Sequence, residues 1–119
     1  MKNFITLIKM SEKAIFCVEK TAPHYRLTEV QATVADRTSR PFTRTALQGG
    51  LSLGLTESDM RQVVLSLKRA DFYTSMTTHA DQQLWQDVYH GKTVDGVLVY
   101  IKITGFSDSR PPVIQFKAK

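Results

Sequence analysis

The chain of 119 residues contains a single cysteine, Cys17, and has no internal repeat or low-complexity linker. One cysteine cannot close an intramolecular disulfide and is too few for a cysteine-rich zinc site, so both kinds of stabilised domain are excluded. We interpret Cys17 as a small apolar residue rather than a nucleophile. The reducing cytosol is then the default compartment, and we expect a cytoplasmic protein.

Long apolar runs are also missing. The N-terminal segment begins with apolar residues, but Lys9, Glu12 and Lys13 interrupt it before it reaches the roughly 7–15 apolar residues of a signal peptide. No segment approaches the roughly 20 apolar residues that span a bilayer. We therefore expect no membrane association, and the length predicts one folded domain.

Acidic residues are fewer than basic ones, with 11 Asp and Glu against 16 Lys and Arg, which gives a formal net charge of +5. A positive protein raises the local concentration of anions, so the balance favours a polyanionic partner. Nucleic acid and an acidic protein both fit this charge. The remaining composition, 42% hydrophobic and 23% charged, is that of an ordinary globular domain.

The first half of the chain predicts three helices. Apolar residues at i, i+3 and i+7 from Leu27 to Val34 indicate one helical face. A weaker helix is expected after Thr43. A third begins where Thr56 and Asp59 resemble a capping box. The apolar stripe and basic last turn of the third helix are predicted at Met60, Val63, Val64, Leu67, Lys68 and Arg69.

From Asp71 onward the hydrophobic period changes to two, and polar loops separate the apolar runs. Strands are predicted at 71–77, 84–90, 96–104 and 112–118. Short loops favour antiparallel neighbours. Helices followed by strands predict an α+β domain, with the N-terminal helices packed on one face of a four-stranded, mainly antiparallel sheet.

Alternation assigns the two faces of the last two strands. Val97, Val99, Ile101, Ile103, Ile114 and Phe116 are expected against the helices, whereas Tyr100, Lys102, Thr104, Gln115 and Lys117 are expected on the open face. The first two predicted strands have no clean polar face, so the pattern leaves their orientation undecided.

Six short motifs occur in order along the chain. They are EK at 19–20, PHxRL at 23–27, DFYxSMTT at 71–78, WQDVY at 85–89, VYxKIT at 99–104 and FKxK at 116–119. Together they resemble the MqsR family of bacterial mRNA interferase toxins, which are RelE-like ribonuclease toxins. The resemblance implies a toxin domain over residues 19–119 and leaves residues 1–18 as an N-terminal extension, either an added strand or helix or an upstream segment.

The resemblance also implies an activity: metal-independent, sequence-selective cleavage of single-stranded mRNA, without a cofactor and under the control of a cognate antitoxin protein. The catalytic residues of the family correspond to Gln86, Tyr100 and Lys117. A further family position, normally lysine, falls on Thr74, which can donate a hydrogen bond but supplies no charge. The residues expected to contact substrate are Thr74, His79, Lys102 and Arg26, and His90 is a further nearby residue that could compensate for Thr74.

These residue types suit RNA cleavage without a metal. The ribose 2′-hydroxyl attacks the adjacent phosphate, and the protein must align it, move its proton and stabilise charge on the phosphorane oxygens. Lysine provides a point charge, while tyrosine and glutamine exchange hydrogen bonds.

Three alternatives stay open from the sequence. One is a relative that keeps antitoxin binding but cleaves RNA weakly, because Thr74 replaces lysine. Another is a helix-turn-helix DNA-binding module built from residues 43–48 and 56–69. Its candidate recognition helix would open with Glu57 and Asp59, whose charge opposes contact with phosphates. The third is an unrelated basic protein-binding module.

Overall fold

The computed structural model describes the backbone of residues 3–10 and 13–18, and the backbone and side chains of 19–77, 84–105 and 113–118. The described strands are β1 Asn3–Met10, β2 Lys13–Lys20, β3 Phe72–Thr77, β4 Trp85–Lys92, β5 Leu98–Thr104 and β6 Val113–Ala118. The described helices are α1 Leu27–Ala35, α2 Arg44–Ser52 and α3 Glu57–Leu65, and a single 3₁₀ turn, Arg69–Asp71, leads into β3.

The six described strands form one sheet in the order β1 to β6, and each neighbouring pair is antiparallel. The predicted α+β class is confirmed, and the four predicted strands correspond to β3–β6. The count of four was too low, because β1 and β2 form an antiparallel pair that joins the sheet. Its contact with β3 is short, with Glu19 opposite Met76 and Lys20 opposite Ser75.

The three predicted helices are present, and the capping box predicted for the third is confirmed. The Thr43 hydroxyl caps α2 by accepting from a backbone N–H in its first turn. At α3 the capping box is complete: the Asp59 N–H donates to the Thr56 hydroxyl at 3.1 Å, and the Thr56 N–H donates to the Asp59 carboxylate at 2.9 Å. The predicted basic last turn is wrong, because α3 ends at Leu65. None of the described helices has the length and apolarity to cross a membrane.

The core lies between the helices and one face of the sheet. Five of the six core residues predicted for the last two strands are buried, namely Val99, Ile101, Ile103, Ile114 and Phe116. Val97 is an exception, since it precedes β5 and is 40% exposed. It closes the turn between β4 and β5, where its N–H donates to the Thr93 hydroxyl and its carbonyl accepts from the Thr93 N–H.

A buried carboxylate fastens the start of α1 to the sheet. Asp87 on β4 is 1% exposed and accepts the backbone N–H groups of His24 and Tyr25 at 3.0 and 2.9 Å. It also accepts the Ser75 hydroxyl at 2.6 Å from the neighbouring strand. These three hydrogen bonds stabilise a carboxylate that would be costly to bury without partners. The two backbone bonds also fix the position at which the chain enters α1.

Candidate active site

The face of the sheet against which none of the described helices packs, called the open face here, is organised in rows. Directly opposite residues on neighbouring strands share a face, and residues two apart along a strand do so too. Row one contains Met76, Gln86, Thr104 and Val113; row two contains Thr74, Val88, Lys102 and Gln115; row three contains His90, Tyr100 and Lys117. The five sequence-predicted residues that lie on β3–β6 are therefore all on one face.

Row three places the candidate chemistry around Tyr100. His90 lies opposite Tyr100 on β4 and Lys117 lies opposite it on β6, each one strand spacing of ~4.8 Å away. Lys102 follows on the same strand, about 6.6 Å along. Tyr100 and Lys102 are half-buried, and Lys117 is exposed. A phenol with a lysine on each of two sides can bind a phosphate and exchange a proton with it.

Gln86 and Thr74 are farther from that centre than the sequence suggested. Gln86 is in row one, two rows or about 13 Å along the strand from row three. Thr74 is in row two, where its partner is Val88 rather than Gln86. Both side chains are half-buried on the open face, so they can contact a strand of RNA that extends past Tyr100.

Two sequence-predicted residues remain, His79 and Arg26. His79 lies outside the described residues. Arg26 is the N-cap residue of α1, directly after the segment that Asp87 holds on the helix side of the sheet. An acceptor some sixty residues away in sequence determines the path of this loop, and contact of Arg26 with substrate stays a prediction.

Tyr73 is an open-face residue that the sequence analysis missed. The register shifts between Phe72 and Thr74, which marks a β-bulge in β3. The Tyr73 ring stacks on His90 with centroids 4.5 Å apart and planes 22° apart, and His90 meets Tyr100 edge to face at 4.9 Å. In the sequence, residues 71–75 (DFYTS) do not alternate cleanly between apolar and polar. This irregularity does not show on which face of the sheet Tyr73 lies.

The electrostatics of the open face favour anions. Within the three rows on β3–β6, the described charged side chains are the cations Lys102 and Lys117, and the Glu19 carboxylate of β2 lies at the far end of row one, opposite Met76. Beside row three, a cavity of about 250 Å³ is lined by Gln115 and Lys117 of β6 together with Thr43 and Thr45 at the start of α2. The site is thus an open, basic surface that continues past Lys117, a shape that suits an extended polyanion.

Two titratable groups on the helix side of the sheet, His24 and Tyr89, have shifted pKa values. Burial and the neighbouring Lys20 lower the pKa of His24, although Asp87 acts in the opposite direction. Burial also raises the pKa of Tyr89 to about 12, and nearby Asp87 adds to that shift. Tyr89 is a core residue at 1% exposure, so this shift reflects packing and not a reactive phenol.

A larger cavity, of about 440 Å³, lies away from the rows. It is formed where the turn before α3 meets the turn between β4 and β5, and its lining includes Gly54, Asp59, Gln62, Val94 and Asp95. It contains none of the residues of row three, so cavity size alone would point away from the candidate chemistry.

Two comparisons with known proteins each match most of this chain. The family model described as "Motility quorum-sensing regulator, toxin of MqsA" matches residues 22–118. A curated Escherichia coli K12 protein named "mRNA interferase toxin MqsR" is 42% identical over 102 residues, which cover 86% of this chain and 100% of that protein. The matched region contains all three helices and strands β3–β6.

Proposed function

Because the chain belongs to the MqsR toxin family, we propose that it is the toxin of a toxin–antitoxin pair and acts as an mRNA endoribonuclease. One observation carries the mechanism. Lys117 lies opposite Tyr100 on the neighbouring strand, and Lys102 lies two residues along the same strand as Tyr100. Two cations beside one phenol form a site for a phosphodiester whose charge increases in the transition state.

The reaction is an internal transfer. The 2′-oxygen of one ribose forms a bond to the adjacent phosphorus while the bond from phosphorus to the 5′-oxygen breaks. The 2′-hydroxyl loses a proton and the departing 5′-oxygen gains one, which leaves a 2′,3′-cyclic phosphate and a 5′-hydroxyl. No metal, oxidant or second substrate is required for this balance.

The residues divide that work by position. We assign to Tyr100 the hydrogen bond that aligns the reacting oxygen and takes part in proton transfer, and to Lys117 and Lys102 the charge on the phosphorane oxygens. Gln86, two rows away, orients a neighbouring part of the RNA strand. Thr74 replaces the family lysine and offers only a hydroxyl, so row two contributes less charge here than in relatives that keep it.

The partner follows from the family. Its description names this kind of protein as the toxin of MqsA, and we propose that the chain is bound by an antitoxin of that type. The weakened-toxin alternative keeps this partner and differs only in rate. The helix-turn-helix alternative gains no support, because Asp59 at the start of α3 is engaged in the helix cap and Glu57 pairs with Arg61 at 3.0 Å.

The activity is tested with purified protein and a short single-stranded RNA in excess EDTA. We expect cleavage that persists in EDTA, and a 2′,3′-cyclic phosphate on the upstream product. Loss of cleavage on chelation, restored by added metal, would overturn the mechanism.

The residue assignments need variants that fold. Lys117→Ala and Tyr100→Phe should each slow single-turnover cleavage by about 10²-fold or more. Lys68→Ala removes the same charge from an exposed position after α3 and should leave the rate unchanged. Wild-type rates in folded Lys117→Ala or Tyr100→Phe protein would remove that residue from the site.

A further inference from the structure

Resting on the proposed function, we infer that Tyr73, backed by the His90 ring, is the platform on which a base of single-stranded RNA stacks beside the scissile phosphate. The motif residues of the open face account for phosphate chemistry, but none of them explains how a nucleobase is held. Tyr73 supplies an aromatic face at the correct place for that task.

The bulge in β3 puts Tyr73 on the open face. Phe72 points to the helix side, since its ring packs edge to face on buried Tyr89 at 5.5 Å. Ser75 also points to the helix side, because its hydroxyl donates to buried Asp87. In a regular strand Phe72 and Ser75 would face opposite ways, so the bulge accommodates two consecutive residues, Tyr73 and Thr74, on the open side.

The exposure of Tyr73 is unusual for an aromatic residue in this chain. The residue is 63% exposed, and every other described phenylalanine, tyrosine or tryptophan is at least partly buried. One face of the ring is covered by His90 at 4.5 Å, with the planes nearly parallel. The ring is therefore held in a fixed orientation by one neighbour, while much of its surface remains open to solvent.

A core-packing role does not account for this arrangement. An aromatic ring that serves packing is buried, as Tyr89 is, because removal of apolar surface from water is what stabilises the fold. Tyr73 instead extends a ladder of three rings, Tyr73 on His90 and His90 against Tyr100. The ladder leads from the exposed ring directly to the phenol that we assign to the reaction.

The ligand chemistry follows from that ladder. Every nucleobase has a flat π-face, and proteins that bind single-stranded RNA hold bases on exposed aromatic side chains beside cations that contact the backbone. Here the exposed ring lies beside row three, whose cation is Lys117. A strand of RNA with its phosphate at Tyr100 can place an adjacent base on Tyr73, and this would fix which phosphodiester is presented for cleavage.

The test uses RNA in which the attacking 2′-hydroxyl is replaced by 2′-O-methyl, so that binding is measured without cleavage. The Tyr73→Leu variant keeps a side chain of similar bulk but removes the π-face. We expect it to weaken binding by about 5- to 140-fold, the range for loss of one base–aromatic stack. Tyr73→Phe keeps the ring and should remain within about two-fold of wild type.

A spectroscopic readout separates stacking from a merely structural effect. The fluorescent base 2-aminopurine is placed in the RNA on one side of the cleaved bond and then on the other. At one of these two positions its fluorescence should be quenched when wild type or Tyr73→Phe binds, and should not be quenched when Tyr73→Leu binds. Leu51→Ala, at an exposed apolar residue of α2, is the matched control and should change neither affinity nor quenching. The salt dependence of binding should stay the same in Tyr73→Leu, because stacking releases no counterions.

The outcomes distinguish the two levels of the proposal. If wild-type protein neither binds nor cleaves single-stranded RNA, the proposed function itself fails. If wild type binds but Tyr73→Leu binds equally well and keeps the quenching, the stacking role is overturned. A loss confined to antitoxin binding, with RNA affinity intact, would assign Tyr73 to the protein interface and would also overturn it.

Discussion

Tyr100 has Lys117 opposite it on β6 and Lys102 two residues along its own strand, and Thr74 stands where the family resemblance implies a further lysine. The position of Thr74 explains how a site can tolerate this change. Thr74 is one row from row three and two strands from Tyr100, so a lysine there would approach the phosphate from the β3 side. Lys102, in the same row and beside Tyr100, already supplies charge from within β5.

Restoring the family lysine should speed cleavage. We expect Thr74→Lys to raise the single-turnover rate by up to about 10²-fold, since a positioned donor on a developing oxyanion contributes on that scale. The gain should appear in kcat more than in KM, because the charge acts on the transition state. Thr28→Lys adds the same charge to an exposed position of α1 and is the control.

An unchanged rate in folded Thr74→Lys protein would mean that Lys102 already meets the need for charge. The double variant Thr74→Lys with Lys102→Ala then decides the matter. The single variant Lys102→Ala should cleave more slowly than wild type. If the double variant cleaves at the wild-type rate, the two lysines act on the same phosphate. If it remains as slow as Lys102→Ala, they do not.

The element that fixes the site to the rest of the fold is β4. Its outward residues form rows one to three, while its inward Asp87 accepts the N–H groups that begin the loop into α1. One strand thus orients the open face and also fastens a helix on the opposite side. Substitutions on the inward side of β4 should therefore lower the free energy of unfolding, whereas substitutions on its outward side should change the rate of cleavage.

Removing the Asp87 carboxylate should be costly. Asp87→Ala leaves the N–H groups of His24 and Tyr25 and the hydroxyl of Ser75 without their acceptor, and unsatisfied buried donors cost about 1–3 kcal/mol each. Allowing for partial hydration, we expect the free energy of unfolding to fall by about 3 kcal/mol, measured as the shift in urea midpoint. Asp95→Ala, at an exposed turn residue, should shift it by less than about 0.5 kcal/mol; a shift for Asp87→Ala as small as that would contradict the buried-acceptor account.

The loop before α1 should respond to pH. The Lys20 ammonium lies 3.7 Å from the centroid of the Trp85 ring and 2.6 Å from Nδ1 of His24, which stacks on the same ring at 5.2 Å. Because burial and Lys20 lower the pKa of His24 in the folded state, its contribution to stability is complete above the unfolded pKa of about 6.5. That contribution is lost as pH falls through the folded pKa.

Trp85 is the only tryptophan of the chain, so its fluorescence reports this contact directly. We expect an acid transition in Trp85 emission with a midpoint below 6.5, absent in His24→Gln. A midpoint above 6.5 would mean that Asp87, which raises the pKa of His24, outweighs burial and Lys20.

The sequence predicted the elements better than it predicted their mutual placement. Alternation in the last two strands was sufficient to assign Ile101 to the core and Tyr100 to the open face, because one side of each strand packs on the core and the other side faces solvent. It could not locate Tyr73, since a bulge depends on cross-strand packing that no local pattern reports. It also could not place Arg26, whose loop is set by Asp87, or count the N-terminal hairpin as part of the sheet.

At the scale of the whole molecule, the net charge of +5 should govern RNA affinity. For single strands, the logarithm of the binding constant falls with the logarithm of salt concentration by about 0.7 for each phosphate neutralised. Lys117→Ala should therefore make the slope shallower by about 0.7, while Lys68→Ala should leave it unchanged. Equal slopes for wild type and Lys117→Ala would show that Lys117 contacts no phosphate.

The separation of the two sheet faces has a consequence for how such a protein diversifies. The buried side of β5 holds Val99, Ile101 and Ile103 at 0% exposure, whereas the outward residues between them, Tyr100 and Lys102, are only half-buried. Substitutions on the outward side thus cost less stability than substitutions on the buried side. A lineage can exchange residues of the open face, as at Thr74, and change substrate or rate while the same scaffold persists.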